Sequence, residues 1–197
     1  VKKISIIRNK FEITVEDRQK NKSIIISDYL VNSAGLFASE VANNIFDLKK
    51  EYIPQTYLSK GNYFSLNKKI PINHLIYPVP EKIGLGIHLT LEIDKSLKFG
   101  PDAHWVDDPY DYDVDINLRE KFFSAVSKYL PVIEEEMLIP SYSGLRPVTS
   151  KQDKSKRDFL ISTVEDHKIE NLINLYGIES PGLTSSLSIA KYVAEKI

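Results

Sequence analysis

The sequence predicts an α+β fold with a mixed sheet, in two lobes woven by a chain that leaves one and returns to it. Three observations predict it. Short β-like runs, followed by a glycine turn and a helical stretch, fill the first 46 residues. A β-rich middle between Leu48 and Leu97 is broken repeatedly, at Pro54, Gly61, Pro71, Pro78, Pro80, Gly84 and Gly86. Strand-like runs then resume after residue 158 and end in a last amphipathic helix.

Taken in order, residues 3–8, 11–15 and 23–31 read as strands, with a turn at Arg8-Asn9-Lys10 and a polar tip from Glu16 to Lys22. The third run, IIISDYLV, leads directly into NSAG and then LFASEVANNIF, where Leu36, Val41, Ala42 and Ile45 fall on one helical face. Leu118, Phe122, Val126, Tyr129 and Leu130 mark a second helix, capped by Asn117 with Glu120 behind it and stopped by Pro131. Pro140 to Pro147 reads as a rigid loop containing glycine, and Lys151 to Arg157 as a polar, basic one. Strands follow at Phe159–Thr163 and Leu172–Tyr176. In the terminal helix Leu183, Leu187, Ala190, Ala194 and Ile197 share a face.

Composition excludes several classes. The 197 residues, 42% of them apolar, suffice for a real core. A net charge of −1 argues against nucleic acid. Apolar runs are as short as Ile24-Ile25-Ile26, so none spans a membrane as a helix. VKKISIIRNK lacks the apolar core and cleavage site of a signal peptide, so a cytoplasmic protein is expected. Without cysteine there are no disulfides, thiolate nucleophiles or Cys-based metal sites.

Several stretches could carry chemistry. GIESPGLTSS, residues 177–186, opens a helix with glycines, a proline and hydroxyls. Either its free N–H groups face an anion or a polar ring edge, or it is an ordinary turn with a hydroxyl cap. VNSAGLFA delivers Gly35 from a strand to a helix start, as a dinucleotide contact or a plain turn. PSYSGLRP holds Arg146 in a stiff segment, where its planar fork suits a carboxylate; the alternative is a surface arginine. Four histidines, at 74, 88, 104 and 167, have no metal-ligand spacing. His88 faces away from Ile87 and Leu89, as a proton acceptor in a pocket or a structural residue, and His74 is equally ambiguous. The acidic run DDPYDYDVDIN is not a calcium loop, because Ile116 and Phe122 stand where glycine and glutamate are needed. It reads as a solvated loop, as does KSKR, Lys154 to Arg157.

In order and spacing, VNSAGLFASEVA, KGNYFSL, HLIYPVP, GLGIHLTLEID, KFGPDAHWVDD, YSGLRP, DFLI and LYGIESPGLTSSLSIA resemble the C-terminal half of L-2-hydroxyglutarate oxidases and dehydrogenases. Those are FAD enzymes of the D-amino-acid-oxidase type. The resemblance runs from about Ile24 to the end. It implies a substrate domain on a mixed, largely antiparallel sheet, with helices, inserted into the C-terminal part of a Rossmann-like FAD-binding domain. Residues 1–46 and 141–197 would belong to the FAD domain and 47–140 to the substrate domain.

By the same resemblance, Ala34 and Gly35 contact FAD where the chain leaves that domain. Gly177, Ser180, Pro181, Gly182, Leu183 and Thr184 wrap the flavin, with a helix N-terminus beside the ring atoms that gain negative charge on reduction. Gly144 brings backbone alongside, Arg146 grips the substrate carboxylate and His88 is the candidate base. Tyr142, Lys60 and His74 are further substrate contacts. The implied reaction is oxidation of a 2-hydroxy acid or small dicarboxylate by hydride transfer to flavin. The alternatives are a glycine- or sarcosine-type amino-acid oxidase, or a truncated fragment without activity. The 197 residues contain no G-x-G-x-x-G. The expectation is therefore one of two: a truncated or split product whose N-terminal FAD-binding half comes from a separate chain or is lost, or a fragment of a longer protein. Either way, this chain alone binds flavin weakly or not at all.

Overall fold

The computed structural model describes residues 1–79, 86–153 and 157–197. Pro80 and Gly84 among the expected breakers, and Lys154 to Lys156 of the basic loop, lie outside the described residues. The chain divides into two compact units, Val1–Tyr57 with Arg146–Ile197, and Leu58–Leu145. The crossings lie 11 and 5 residues beyond the expected ends of the first two segments at 46 and 140.

In the first unit, β1 (Lys3–Ile7), β2 (Lys10–Glu16) and β3 (Lys22–Ser27) form an antiparallel meander. Arg8 and Asn9 make its first turn with positive φ. The strand expected over 23–31 is in fact two. The chain breaks at Asp28-Tyr29, where the Ser27 hydroxyl bonds back to Tyr29, and β4 (Leu30–Asn32) enters a different sheet. There β11 (Leu172–Tyr176) pairs parallel with β4 and antiparallel with β10 (Leu160–Ser162).

β11 is buried at every residue, because both faces of its sheet are covered. Leu172 and Tyr176 pack with Ile4, Phe11, Ala38, Ala42 and Ile45 from the meander and α1 (Ala38–Asn43). On the other face Ile173 and Leu175 meet Ile178, Ile189 and Val193 of the closing segment, α4 (Gly182–Ala194). Between β10 and β11 lies α3 (Val164–His167), opened by a Thr163–Asp166 capping box. The face of α4 that buries is not the expected one: Leu183 and Leu187 are 89% and 85% exposed. α4 carries two apolar stripes, and the one with β-branched Ile189 and Val193 seats on the sheet.

The second unit is built on a sheet in the order β6 (His88–Leu91), β7 (Leu97–Gly100), β5 (Tyr57–Leu66), β8 (His104–Val106). β9 (Leu138–Val148) pairs with β5 off this path. The expected loop from Pro140 to Pro147 is therefore strand. Its prolines are tolerated because a strand off the main path has an edge that needs no ladder donor. Phe64, Leu89 and Phe99 join Phe122, Val126 and Leu138 in one core, with the Phe64 and Phe122 rings 4.5 Å apart. α2 (Arg119–Val126) supplies Phe122 and Val126, and is preceded by a 3-10 turn. That turn is capped by Asp115, whose carboxylate accepts from the Asn117 N–H at 2.9 Å, rather than by Asn117. Among the described residues no helix is long and apolar enough to cross a membrane.

Candidate functional site

In the first unit the candidates gather at two strand ends. β4 ends at Asn32, a buried side chain whose amide donates to the Ala38 carbonyl at 2.8 Å and to Asn174 of β11 at 2.9 Å. Its oxygen accepts from the Ala34 N–H at 3.3 Å. This lock fixes the turn that carries Gly35, which sits at φ +58°. A Cβ added at Gly35 would meet nothing within 4 Å, so the backbone there borders open space.

β11 runs out at Tyr176 into Gly177, at φ +65°, and then Ile178, Glu179, Ser180 and Pro181 before α4. No side chain caps α4 among the described residues. The Thr184 and Ser185 hydroxyls instead donate back to the Pro181 carbonyl, at 2.9 and 3.0 Å. The run of small hydroxyls therefore leaves the N–H groups of Leu183 and Thr184 to an outside acceptor. The two glycines of this segment have a different reason from Gly35. A Cβ on Gly182 would come 2.7 Å from Ile178 Cγ2, and one on Gly177 3.1 Å from Thr149 Cγ2. Tight internal packing requires glycine at 182; at 177 the positive φ favours it, with the Thr149 methyl close by.

Arg146, near the end of β9, donates from one terminal nitrogen to Glu179 Oε2 at 3.3 Å. The pair is partly solvated, with side chains 38% and 21% exposed. A carboxylate thus already lies against this guanidinium, at the approach to α4. In the sequence Glu179 carries no signal of its own beyond its place in GIESPGLT.

In the second unit the strand alternation sorts the candidates by face. His88, Lys98 and Tyr63 alternate with the core residues Leu89, Phe99 and Phe64 and so take the face away from α2. Tyr142 of β9 stacks on Tyr63 with ring centroids 4.5 Å apart. The Lys98 ammonium sits 4.3 Å from the Tyr142 centroid and 2.6 Å from Glu92. Partial burial, with the Glu92 carboxylate nearby, raises the Tyr142 phenol above its ordinary pKa. His88 lies against Tyr77, rings 4.2 Å apart, while His74 is in an exposed loop. A Cβ on Gly144 would meet nothing within 4 Å. The signal that could have found Lys98 and Tyr63 is the period of two along β7 and β5, strands the sequence reading did not delimit.

Lys60 lies on the opposite face of β5, with Asn62 and Phe64. Its buried ammonium donates to Asp111 Oδ1 at 2.5 Å and to the Asp113 carbonyl at 2.6 Å. It lines a cavity of about 450 Å³ with Asn62, Asp102, His104, Asp111 and Lys121. The structure does not bring Lys60 together with Tyr142. Asp102 accepts from the Asn62 N–H and amide at 2.8 and 3.0 Å and from Lys121 at 2.8 Å. Burial opposes ionisation of Asp102, but Lys121 and the Asn62 donors outweigh it and hold the carboxyl below its ordinary pKa. No cluster of three or more acidic, His or Cys side chains fit to hold a metal occurs among the described residues.

The family pattern of FAD dependent oxidoreductases matches residues 1–196. The chain belongs to the FAD-dependent oxidoreductase family. Among curated relatives of this family it is 41% identical to the mitochondrial L-2-hydroxyglutarate dehydrogenase of Arabidopsis thaliana over 183 residues, covering 87% of this chain and 38% of that protein. It is 30% identical to a glycerol 3-phosphate dehydrogenase of Caloramator mitchellensis, over 89% of this chain and 35% of the relative. In fold it matches the L-alpha-glycerophosphate oxidase of Mycoplasma pneumoniae, solved with FAD bound, at TM-score 0.78 and 20% identity. That match covers 97% of this chain and 48% of the oxidase. A glycine oxidase from Geobacillus kaustophilus matches at TM-score 0.67 and 16% identity, over 100% and 48%. The chain thus spans about 35–48% of the length of these relatives and solved structures.

The residues present in the first unit fit the family's cofactor. A flat ring with a pyrophosphate tail needs close backbone approach and anion-stabilising N–H groups. Gly35 leaves the space where a Cβ would stand, and α4 offers first-turn N–H groups without a side-chain cap.

Proposed function

We propose that this chain supplies the substrate-binding half, and the part of the flavin site nearest the ring, of an FAD-dependent oxidoreductase acting on a 2-hydroxy acid such as L-2-hydroxyglutarate. The dinucleotide-binding half comes from further polypeptide of the same or another chain. The observation that carries the reading is Arg146, a guanidinium already holding a carboxylate, that of Glu179, at the head of an uncapped helix.

In this reading Arg146 binds the substrate's C1 carboxylate through its planar fork and fixes the direction in which the one C–H bond of the carbinol carbon points. His88 takes the hydroxyl proton as general base, through a ring nitrogen. Tyr142, raised in pKa, stays protonated and donates a hydrogen bond to the distal carboxylate, with Lys98 adding positive charge beside it. Gly35, Gly144 and the Leu183 and Thr184 N–H groups hold the flavin, which when bound accepts the hydride equivalent. The 41% identity to an L-2-hydroxyglutarate dehydrogenase favours that acid over glycerol 3-phosphate and glycine.

The test is co-expression with a flavin-binding N-terminal half taken from such a relative, followed by dye-linked assay of L-2-hydroxyglutarate, glycerol 3-phosphate and glycine. The expected outcome is flavin incorporation and turnover of the hydroxy acid in preference to the other two. Preference for either of the others overturns the substrate; a flavin-free complex overturns the whole reading.

A further inference from the structure

We propose that β3 is a self-complementary sheet edge through which two copies of this chain pair antiparallel. One edge of β3 is laddered to β2, from Phe11↔Ser27 to Glu16↔Lys22, and the other meets no strand among the described residues. A half-buried edge strand alternates buried and exposed residues, whereas β3 shows its isoleucines on both faces. Ile24, Ile25 and Ile26 are 62%, 50% and 66% exposed. Edges of this kind are usually guarded by a proline, a bulge or an inward charge, and none interrupts Ser23 to Ser27.

What selects the occupant is the symmetry of the segment. From Lys22 to Asp28 it reads K-S-I-I-I-S-D, the same in residue type from either end except that the terminal charges are opposite. Antiparallel pairing about a two-fold axis at Ile25 sets Lys22 against Asp28 twice, Ser23 against Ser27 twice, Ile24 against Ile26 twice, and Ile25 against itself. Parallel pairing in register would oppose lysine to lysine and aspartate to aspartate. The end charges therefore choose the antiparallel copy, and an isologous contact that consumes the free edge of β3 closes at a dimer. Asp28 meets Lys10 at 2.8 Å, but both side chains are more than half exposed and such a pair yields readily to a new partner. This seven-residue seam, β3 with Asp28 just past its end, falls short of the ~1,200 Å² of standard interfaces, so the dissociation constant is expected on the order of 0.1–1 mM.

Sedimentation equilibrium of the 197-residue chain over a concentration series tests this. The expected weight-average mass rises from 22.5 kDa towards twice that value. Lys22→Asp alone and Asp28→Lys alone each weaken association by roughly fivefold or more, since both end pairs become like-charged. An equimolar mixture of the two variants, and the double variant, associate as the parent does. Circular dichroism matching the parent's identifies the variants as folded. A mass fixed at 22.5 kDa up to about 1 mM, as expected if a strand of other polypeptide normally covers this edge, overturns the proposal. So does association that the single variants leave unchanged, or that mixing them does not restore.

Discussion

Replacing Glu179 by glutamine keeps the side chain's size and one acceptor oxygen but removes the charge that engages Arg146. The incoming acid then no longer has to displace an internal carboxylate. The gain is bounded by the strength of the existing pair. Its 3.3 Å contact and partial solvation place it with surface ion pairs, worth about 0.2–1 kcal/mol. At 1.4 kcal/mol per tenfold, that corresponds to a dissociation constant lower by at most about fivefold. Calorimetric titration of the flavin-completed protein with L-2-hydroxyglutarate at low ionic strength reads this directly. Added salt should shrink the difference between parent and variant, because both the pair and its competitor are screened. An unchanged or weaker affinity in Glu179→Gln would refute the reasoning, since Arg146 would then not be the group for which the two acids compete.

Other outcomes follow from the packing. Asp102→Asn should cost about 2–3 kcal/mol in urea unfolding, since it replaces the charged acceptor of two buried Asn62 donors, while solvated Lys121 adds little. Val193→Ala should cost about 2 kcal/mol and Leu187→Glu within about 0.5 kcal/mol, because only the first faces Ile173 and Leu175; equal costs would contradict the seating of α4. His167 is buried, which lowers its pKa below the unfolded value. The unfolded state therefore binds the extra proton, and stability should fall as pH drops below about 6.5; His167→Gln should flatten that slope in thermal melts.

Much of this was legible in the sequence where one period dominates. β11 matches its expected range because all five residues are apolar or buried polar in a sheet covered on both faces. The ordered motifs NSAG, GLRP and GIESPGLT carried the family resemblance, which the match over residues 1–196 bears out. What was not legible came from competition between equivalent signals. IIISDYLV is one apolar run, and only the Ser27–Tyr29 turn divides it between two sheets. α4 has two apolar stripes, and periodicity cannot say which meets the sheet. Pro140 and Pro147 read as loop because pairing off the main sheet path is a tertiary fact. Lys60 read as a ligand group because the acceptors that hold it, the Asp111 carboxylate and the Asp113 main-chain carbonyl, are some fifty residues away.

The most direct test of the account is anaerobic mixing of the flavin-completed protein with L-2-hydroxyglutarate, comparing parent with Arg146→Ala. The account predicts bleaching of the oxidised-flavin band by the parent, and a loss of roughly 10²-fold in the second-order rate for the variant, in keeping with a charged contact to substrate. Equal bleaching rates in the two proteins would contradict it.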